Sequence, residues 1–136
     1  MDKIDALEFC AEWLPSWTGN RPQELISFYA ENAVFVDPVN REGLRGHEEI
    51  LAYFEKLLHS NPYWVWEAIE VFPIDKGFVL KWQAEIPVNN ITLTERGLDI
   101  VEIQNGLITR NEVYFDRSQL VTLLFEQRLM QLSQQT

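Results

Sequence analysis

An α+β fold, with helices laid over one face of an antiparallel sheet, is predicted by one change of period along the chain. Up to about residue 60 the apolar residues recur at helical spacing, and after His59, Ser60, Asn61 and Pro62 they alternate. Two further observations agree with it. Asn105-Gly106 is a strong two-residue hairpin signal between alternating runs, and the helical period returns from Arg117 to Leu132. At 136 residues the chain is read as one domain, 1–136, long enough to bury roughly two thirds of its unfolded surface without staples.

In the first helix Ile4, Leu7, Cys10, Ala11, Leu14 and Trp17 form a stripe that Phe9 and Trp13 widen, which predicts burial over more than half its circumference. Pro15 should kink or end it. After the break at Ser16 to Arg21, Asn20 with Gln23 three residues on, and Pro22 between them, resembles a second helix start. Leu25, Ile26, Phe28 and Tyr29 are its predicted packing face. A short strand, Val34 to Asp37, follows. Asn40 to Gly46 reads as a polar connection, and a third helix begins at His47. It carries Glu48 and Glu49 in its first turn, where the helix dipole favours carboxylates. Ile50, Tyr53, Phe54, Leu57 and Leu58 then form one apolar stripe. Predicted strands are Tyr63 to Phe72, Phe78 to Ile86, Ile91 to Gln104 and Leu107 to Phe115, with turns at Asp75 to Gly77 and Pro87 to Asn90. The last helix has Leu120, Val121, Leu124, Phe125 and Leu129 as its stripe.

A net charge of −10 excludes the cationic footprint that nucleic acids require and disfavours anionic membranes. No apolar run approaches the ~18 residues of a membrane helix. The charged start, Met1, Asp2, Lys3, lacks a secretory apolar region, so a cytoplasmic protein is expected. Cys10, the single cysteine, sits between Phe9 and Ala11 and reads as a small buried hydrophobe. There is no His-x-His, no cysteine cluster and no Gly-rich phosphate loop, so neither a metal nor a cofactor is expected. Five tryptophans fit a core or an interface as readily as a ligand site. An outward-facing Trp among Tyr63 to Trp66 or Lys81 to Gln83 would mark an interface.

Two carboxyl groups stand out. Asp37 ends an apolar strand at the rim of a core, and Pro38 biases it towards extended geometry, which holds its side-chain direction. Asp99 shares a strand face with Val101 and Ile103, so it is a candidate for burial. Desolvation would keep Asp99 protonated as a donor, while a better solvated Asp37 stays ionised as a base. Such a pair suits proton transfer on a carbonyl compound. Each Asp also has a bland reading, in which it satisfies only backbone or Arg partners. Asp116, three residues before Gln119, reads as a helix cap.

The stretch YAENAVFVDPV, followed by a polar Gly-containing loop and EEILAYF, resembles the ketosteroid isomerases. GLDIVEIQNGLITRNEVYFD is similar to the wider SnoaL-like and nuclear transport factor 2-like superfamily, and the likeness covers residues from about 5 to 125. It implies a cone-shaped α+β barrel of the cystatin-like kind, three helices on a strongly curved antiparallel sheet plus a C-terminal helix, around one apolar pocket. It also implies a homodimer. The isomerase base falls on Asp37, the protonated oxyanion-hole Asp on Asp99, and the oxyanion-hole Tyr on Trp13, which offers an indole N–H instead. Tyr53 and Phe54 match the aromatic pocket pair, and Tyr53 could supply the missing hydroxyl. Trp82, Val101 and Phe115 complete the expected substrate-contacting set. The Asp-Arg-Asp set of limonene epoxide hydrolases has no counterpart at Trp82 to Ala84 or Val113. The resemblance thus implies an isomerase-like or cyclase-like acid–base enzyme for a small hydrophobic carbonyl compound. The alternatives are an unreactive binder of small hydrophobic molecules, or an interaction dimer.

Overall fold

The computed structural model describes residues 1–134. Helix α1 (Lys3–Trp13) runs into a 3₁₀ turn (Leu14–Trp17), and α2 (Pro22–Ile26), β1 (Tyr29–Val36), β2 (Leu44–Arg45) and α3 (Gly46–Ser60) follow. The second half is a meander of β3 (Val65–Ile74), β4 (Gly77–Val88), β5 (Ile91–Gln104) and β6 (Leu107–Tyr114), closed by α4 (Ser118–Gln134). This is the expected α+β architecture.

The six strands form one sheet in the order β2-β1-β6-β5-β4-β3. All neighbours are antiparallel except β1 and β6, which run parallel, with Phe35 opposite Asn111. An all-antiparallel sheet was expected. The short β2, which pairs Leu44 with Phe35, lies in what reads as a polar connection, because two residues carry no period.

Three helical expectations are corrected. Tyr29 belongs to β1, so α2 packs through Leu25 and Ile26 alone. The first helix buries a narrow face, Ala6, Cys10 and Trp13, while Ile4 and Leu7 stay exposed. Only Leu120 of the α4 stripe is buried, and Phe125 is 62% exposed. The remainder of α4 touches the body lightly, for example where the Asn89 N–H donates to Gln127 Oε1 at 3.1 Å.

The core lies between α1, α3 and the inner sheet face, where Phe54, Phe78, Leu80 and Ile108 are fully buried. Each such side chain contributes roughly 1.5–3 kcal/mol relative to exposure. On α3 the predicted stripe divides. Ile50, Phe54 and Leu58 enter the core, and Tyr53 and Leu57, a turn apart on the flank, line a cavity beside it.

Candidate functional site

That cavity has a volume of about 220 Å³. Its wall draws on the 3₁₀ turn (Trp17), β1 (Phe35), α3 (Tyr53), the segment into β3 (Trp64, Trp66) and the meander (Trp82, Phe115). Leu120, Val121 and Leu124 of α4 close the remaining side. Val121 and Leu124 stay over 40% exposed, so the cavity opens beside this helix.

Asp37 stands just past the end of β1, 8% exposed, with its carboxylate on the cavity wall. Four donors converge on it. Oδ1 accepts from the Val39 N–H at 3.0 Å, the Asn40 N–H at 2.7 Å and Asn40 Nδ2 at 3.0 Å. The Tyr53 hydroxyl donates to Oδ2 at 2.5 Å. Pro38 ends the strand and turns the chain so that the next two amides point back at the carboxylate, an Asx-type turn. Burial and the Asp37 carboxylate raise the Tyr53 phenol far above its ordinary range, which keeps it a neutral donor.

Asp99 is 5% exposed and also reaches the cavity wall. Trp82 Nε1 donates to its Oδ1 at 2.8 Å, and Asn111 Nδ2 donates to Oδ2 at 3.1 Å. Asn111 Oδ1 in turn accepts from the Tyr29 hydroxyl at 2.8 Å, so a buried chain links β1, β6, β5 and β4. Desolvation pushes the Asp99 carboxyl up to about 7, partly offset by the bonds from Asn111 and Trp82 and supported by the charge on Asp37. Near neutrality it therefore occurs in both protonation states. Trp82 can make its bond because Gly97 faces it across the β4–β5 ladder, where an added Cβ would lie 2.3 Å from the indole ring.

Of the residues expected at the site, the fold brings Asp37, Asp99, Tyr53, Trp82 and Phe115 to one cavity. Trp13, Phe54 and Val101 lie elsewhere, fully buried in the core beside it. Trp13 projects from the inner face of α1, and its indole N–H has no partner at hydrogen-bonding geometry. It lies near enough to the Tyr29 hydroxyl to favour that group's charged form, against the larger effects of burial and Asp99. Phe54 is a turn away from the cavity-lining Leu57 and packs on Trp17 at 5.1 Å between ring centroids. Val101 points into the core from β5, opposite Asn111. The hydroxyl on the cavity wall is that of Tyr53.

Trp17, Trp64, Trp66 and Arg117 of the cavity wall, and Asn111 behind Asp99, are not among the site residues that the sequence predicts. Strand bulges hid three of them. Between Ala68 and Glu70 the β3 register shifts, so Trp64 and Trp66 share the inner side with Val71 although strict alternation puts them outside. Between Ile108 and Arg110 an extra residue, Thr109, shifts β6 in the same way and turns Asn111 inwards. A polar residue that breaks parity in an apolar strand is a usable signal for such a position. The tryptophans that would have marked an outer interface thus face the cavity.

Asp116 accepts from the Ser118 N–H at 3.0 Å in an Asx-type turn leading into α4, whose first helical bond runs from the Val121 N–H to the Arg117 carbonyl oxygen. The backbone bond from Ser118, then its side chain, holds Asp116 below its ordinary range. His47 bonds the Tyr29 carbonyl oxygen through Nε2 at 2.6 Å. Arg110 pairs with Glu102 at 3.4 Å and also with Glu112, while Arg96 donates to Gln83 at 3.1 Å. Among the described residues no group of three or more His, Cys, Asp and Glu side chains is placed to hold a metal ion, and no helix is long and apolar enough to cross a membrane.

The curved sheet, its helical cover and the cavity with two carboxyl groups define a cone-shaped fold of the nuclear transport factor 2-like class. The chain belongs to the SnoaL-like domain family, whose model matches residues 10–111. Among solved structures it is similar to a protein of Catenulispora acidiphila with a ketosteroid isomerase-like fold, in complex with trimethylamine. The two are 15% identical over 85% of this chain and 91% of the other, with a TM-score of 0.72. AclR of Streptomyces galilaeus, provisionally assigned as a hydroxylase, superposes over 92% of this chain and 98% of its own, at 10% identity and a TM-score of 0.73. A protein of Shewanella putrefaciens, provisionally assigned as a SnoaL-like polyketide cyclase, matches at 13% identity over 93% and 86%, with a TM-score of 0.71. At these identities the likeness is one of fold. No curated protein matches the chain significantly in sequence.

Proposed function

We propose that this chain is a cytoplasmic, cofactor-independent acid–base enzyme acting on a small, largely apolar carbonyl compound held in the cavity. One observation carries the reading: two buried carboxyl groups share an aromatic wall but sit in contrasting surroundings. Asp37 is a carboxylate fed by four donors, and Asp99 is a desolvated carboxyl with its pKa pushed up to about 7. Groups whose environments separate them in this way can divide the roles of base and acid.

In this reading a substrate displaces the Tyr53 hydroxyl from Asp37. The freed Oδ2 takes a proton from the carbon next to the carbonyl. The neutral phenol of Tyr53 and the protonated form of Asp99 then donate to the oxygen as charge develops there. The aromatic wall excludes water, which strengthens each of these bonds. The trimethylamine complex of the Catenulispora protein supports a small occupant for this fold. A homodimer is proposed as the working assembly, with exposed Leu98 and Tyr114, paired across β5 and β6, at the contact.

The test is deuterium exchange. Small cyclic ketones incubated with the protein in heavy water should gain deuterium beside the carbonyl, and Asp37→Asn should abolish the gain while the circular dichroism spectrum is unchanged. Exchange that survives Asp37→Asn would remove Asp37 as the base.

A second reading, an unreactive binding protein, draws on a specific observation. Asp37 accepts four hydrogen bonds and Asp99 two from the fold's own donors, which is enough to satisfy both carboxyl groups without a substrate. A ligand recovered chemically unchanged, together with no exchange in any ketone, would favour it.

A further inference from the structure

We propose that the cavity recognises a ligand carrying a compact alkylammonium cation. This goes beyond the acid–base reading, because it concerns which molecule is held and stands whether or not a proton is then transferred.

The wall is built of aromatic rings, whose faces are electron-rich. Trp66 stands between Trp17 and Trp64, with ring centroids 5.8 and 6.0 Å away. Trp82 packs against Phe115 at 5.4 Å, and Phe35 against Tyr53 at 5.9 Å. All seven rings line the cavity. A cation gains over the face of such a ring, most of all over tryptophan, and gains more when water is excluded.

The two carboxyl groups reinforce this in a particular way. Each is bonded by an aromatic side chain of the wall itself, Asp99 by Trp82 Nε1 at 2.8 Å and Asp37 by the Tyr53 hydroxyl at 2.5 Å. A ring whose N–H or O–H donates to a carboxylate carries more negative charge on its face. The carboxylates therefore attract a cation directly and also through the rings they bond.

Charge balance points the same way. Arg117 is the cationic side chain of the lining, and it is partly exposed at the start of α4. With Asp99 ionised, a neutral ligand would leave two carboxylates desolvated with one guanidinium to oppose them, whereas a cation balances the lining; the protonated form of Asp99 is the one that suits the neutral carbonyl compound proposed above. An anionic ligand would enter a low-dielectric space beside like charges. A cation without N–H donors to satisfy is favoured, because the internal bonds already fill both carboxyl groups and leave charge and aromatic surface on offer. The volume of about 220 Å³ restricts the head group to a small one.

The experiment compares choline with 3,3-dimethylbutan-1-ol, in which carbon replaces the charged nitrogen and the shape is kept. Titration of the full chain would be followed by calorimetry and tryptophan fluorescence. Choline should bind at least about tenfold more tightly than the neutral alcohol, the margin expected of a desolvated cation over aromatic faces. That preference should fall in Asp99→Asn and in Trp66→Leu. Wild-type protein alone keeps the proposal exposed if a variant fails to fold: equal binding of the two probes, tighter binding of the alcohol, or binding of neither at millimolar concentration overturns it. A preference that survives both variants overturns the assignment to this cavity. The ketone exchange assay is independent of all these outcomes, so failure here and failure of the acid–base reading are told apart.

Discussion

Trp82 donates its indole N–H to Asp99 at 2.8 Å from the neighbouring strand, and it can do so because Gly97 leaves space beneath its ring. The bond couples three things that sequence treats separately: a large aromatic, a buried acid and a glycine with no turn to make.

Removing that donor should move the acid. In Trp82→Phe the Asp99 carboxylate keeps Asn111 as a partner and loses the other. A hydrogen bond to a charged group contributes about 1.5–3 kcal/mol, so Asp99 should titrate clearly above its present value of about 7. Carbon-13 NMR of labelled aspartate carboxyls reads this directly. An unchanged or lowered midpoint would contradict the role given to the indole.

Gly97→Ala should act on the same pair from below. The new methyl group would meet the indole at 2.3 Å, with further ring atoms at 2.7 and 2.8 Å, and a buried ring 3% exposed has little room to retreat. Overpacking of this kind costs about 1–3 kcal/mol. The midpoint of urea unfolding should drop accordingly, and a variant as stable as the parent would show that the sheet can yield here.

The pH dependence of stability has a definite sign. Burial raises Asp99 from 3.8 to about 7 on folding, so between these values the folded protein binds a proton that the unfolded chain has released. The contribution of Asp99 to stability is therefore fully present below about pH 4, is lost as pH rises towards 7, and changes little beyond. Relative to Asp99→Asn, the wild type should gain on the order of a few kcal/mol between pH 7 and pH 4. Chemical denaturation of both proteins at several pH values gives the difference, in which other carboxylates cancel. A flat difference would mean that Asp99 is not desolvated.

Asp37 and Tyr53 should be energetically coupled. Their bond at 2.5 Å joins a carboxylate to a partly buried phenol. A double-mutant cycle with Asp37→Asn and Tyr53→Phe should return a coupling of about 1–3 kcal/mol. A value near zero would mean that the bond does not persist in solution.

Cys10 should be inert in the native protein. It is 1% exposed, and desolvation, with the nearby charge of Asp99, pushes its thiol up to about 12. A thiol reagent at neutral pH should label it only after denaturant is added, and prompt labelling of the folded chain would rule out the packing of α1 described above.

The architecture and the principal carboxyls were legible from residues alone, because the apolar period and the turn chemistry act locally. The alternation from Phe78 to Ile86, the Asn105-Gly106 hairpin and the α3 stripe each carry their own geometry, and the Asp-Pro exit placed Asp37 at a strand end. Family resemblance then extended the reading to the curved sheet and to the oxyanion-hole role expected of Asp99. The wall of the cavity was only partly legible. Bulges in β3 and β6 reverse the side on which Trp64, Trp66 and Asn111 fall, and a single inserted residue leaves no mark on a period counted by eye. Trp13 counts onto the place of an oxyanion donor in sequence, yet in space it is core, and Tyr53 presents the hydroxyl.

The sequence by itself determined that helices would cover a sheet and that two acids would sit near its inner face. Local spacing suffices for that, since each element buries its own apolar side. Only the tertiary structure decided which residues meet. Asp99 owes its surroundings to strands β4 and β6, and Asp37 owes its fourth bond to a helix sixteen residues on. Desolvation, the force that sets Asp99 apart, is a property of everything packed around a group and of no residue taken alone.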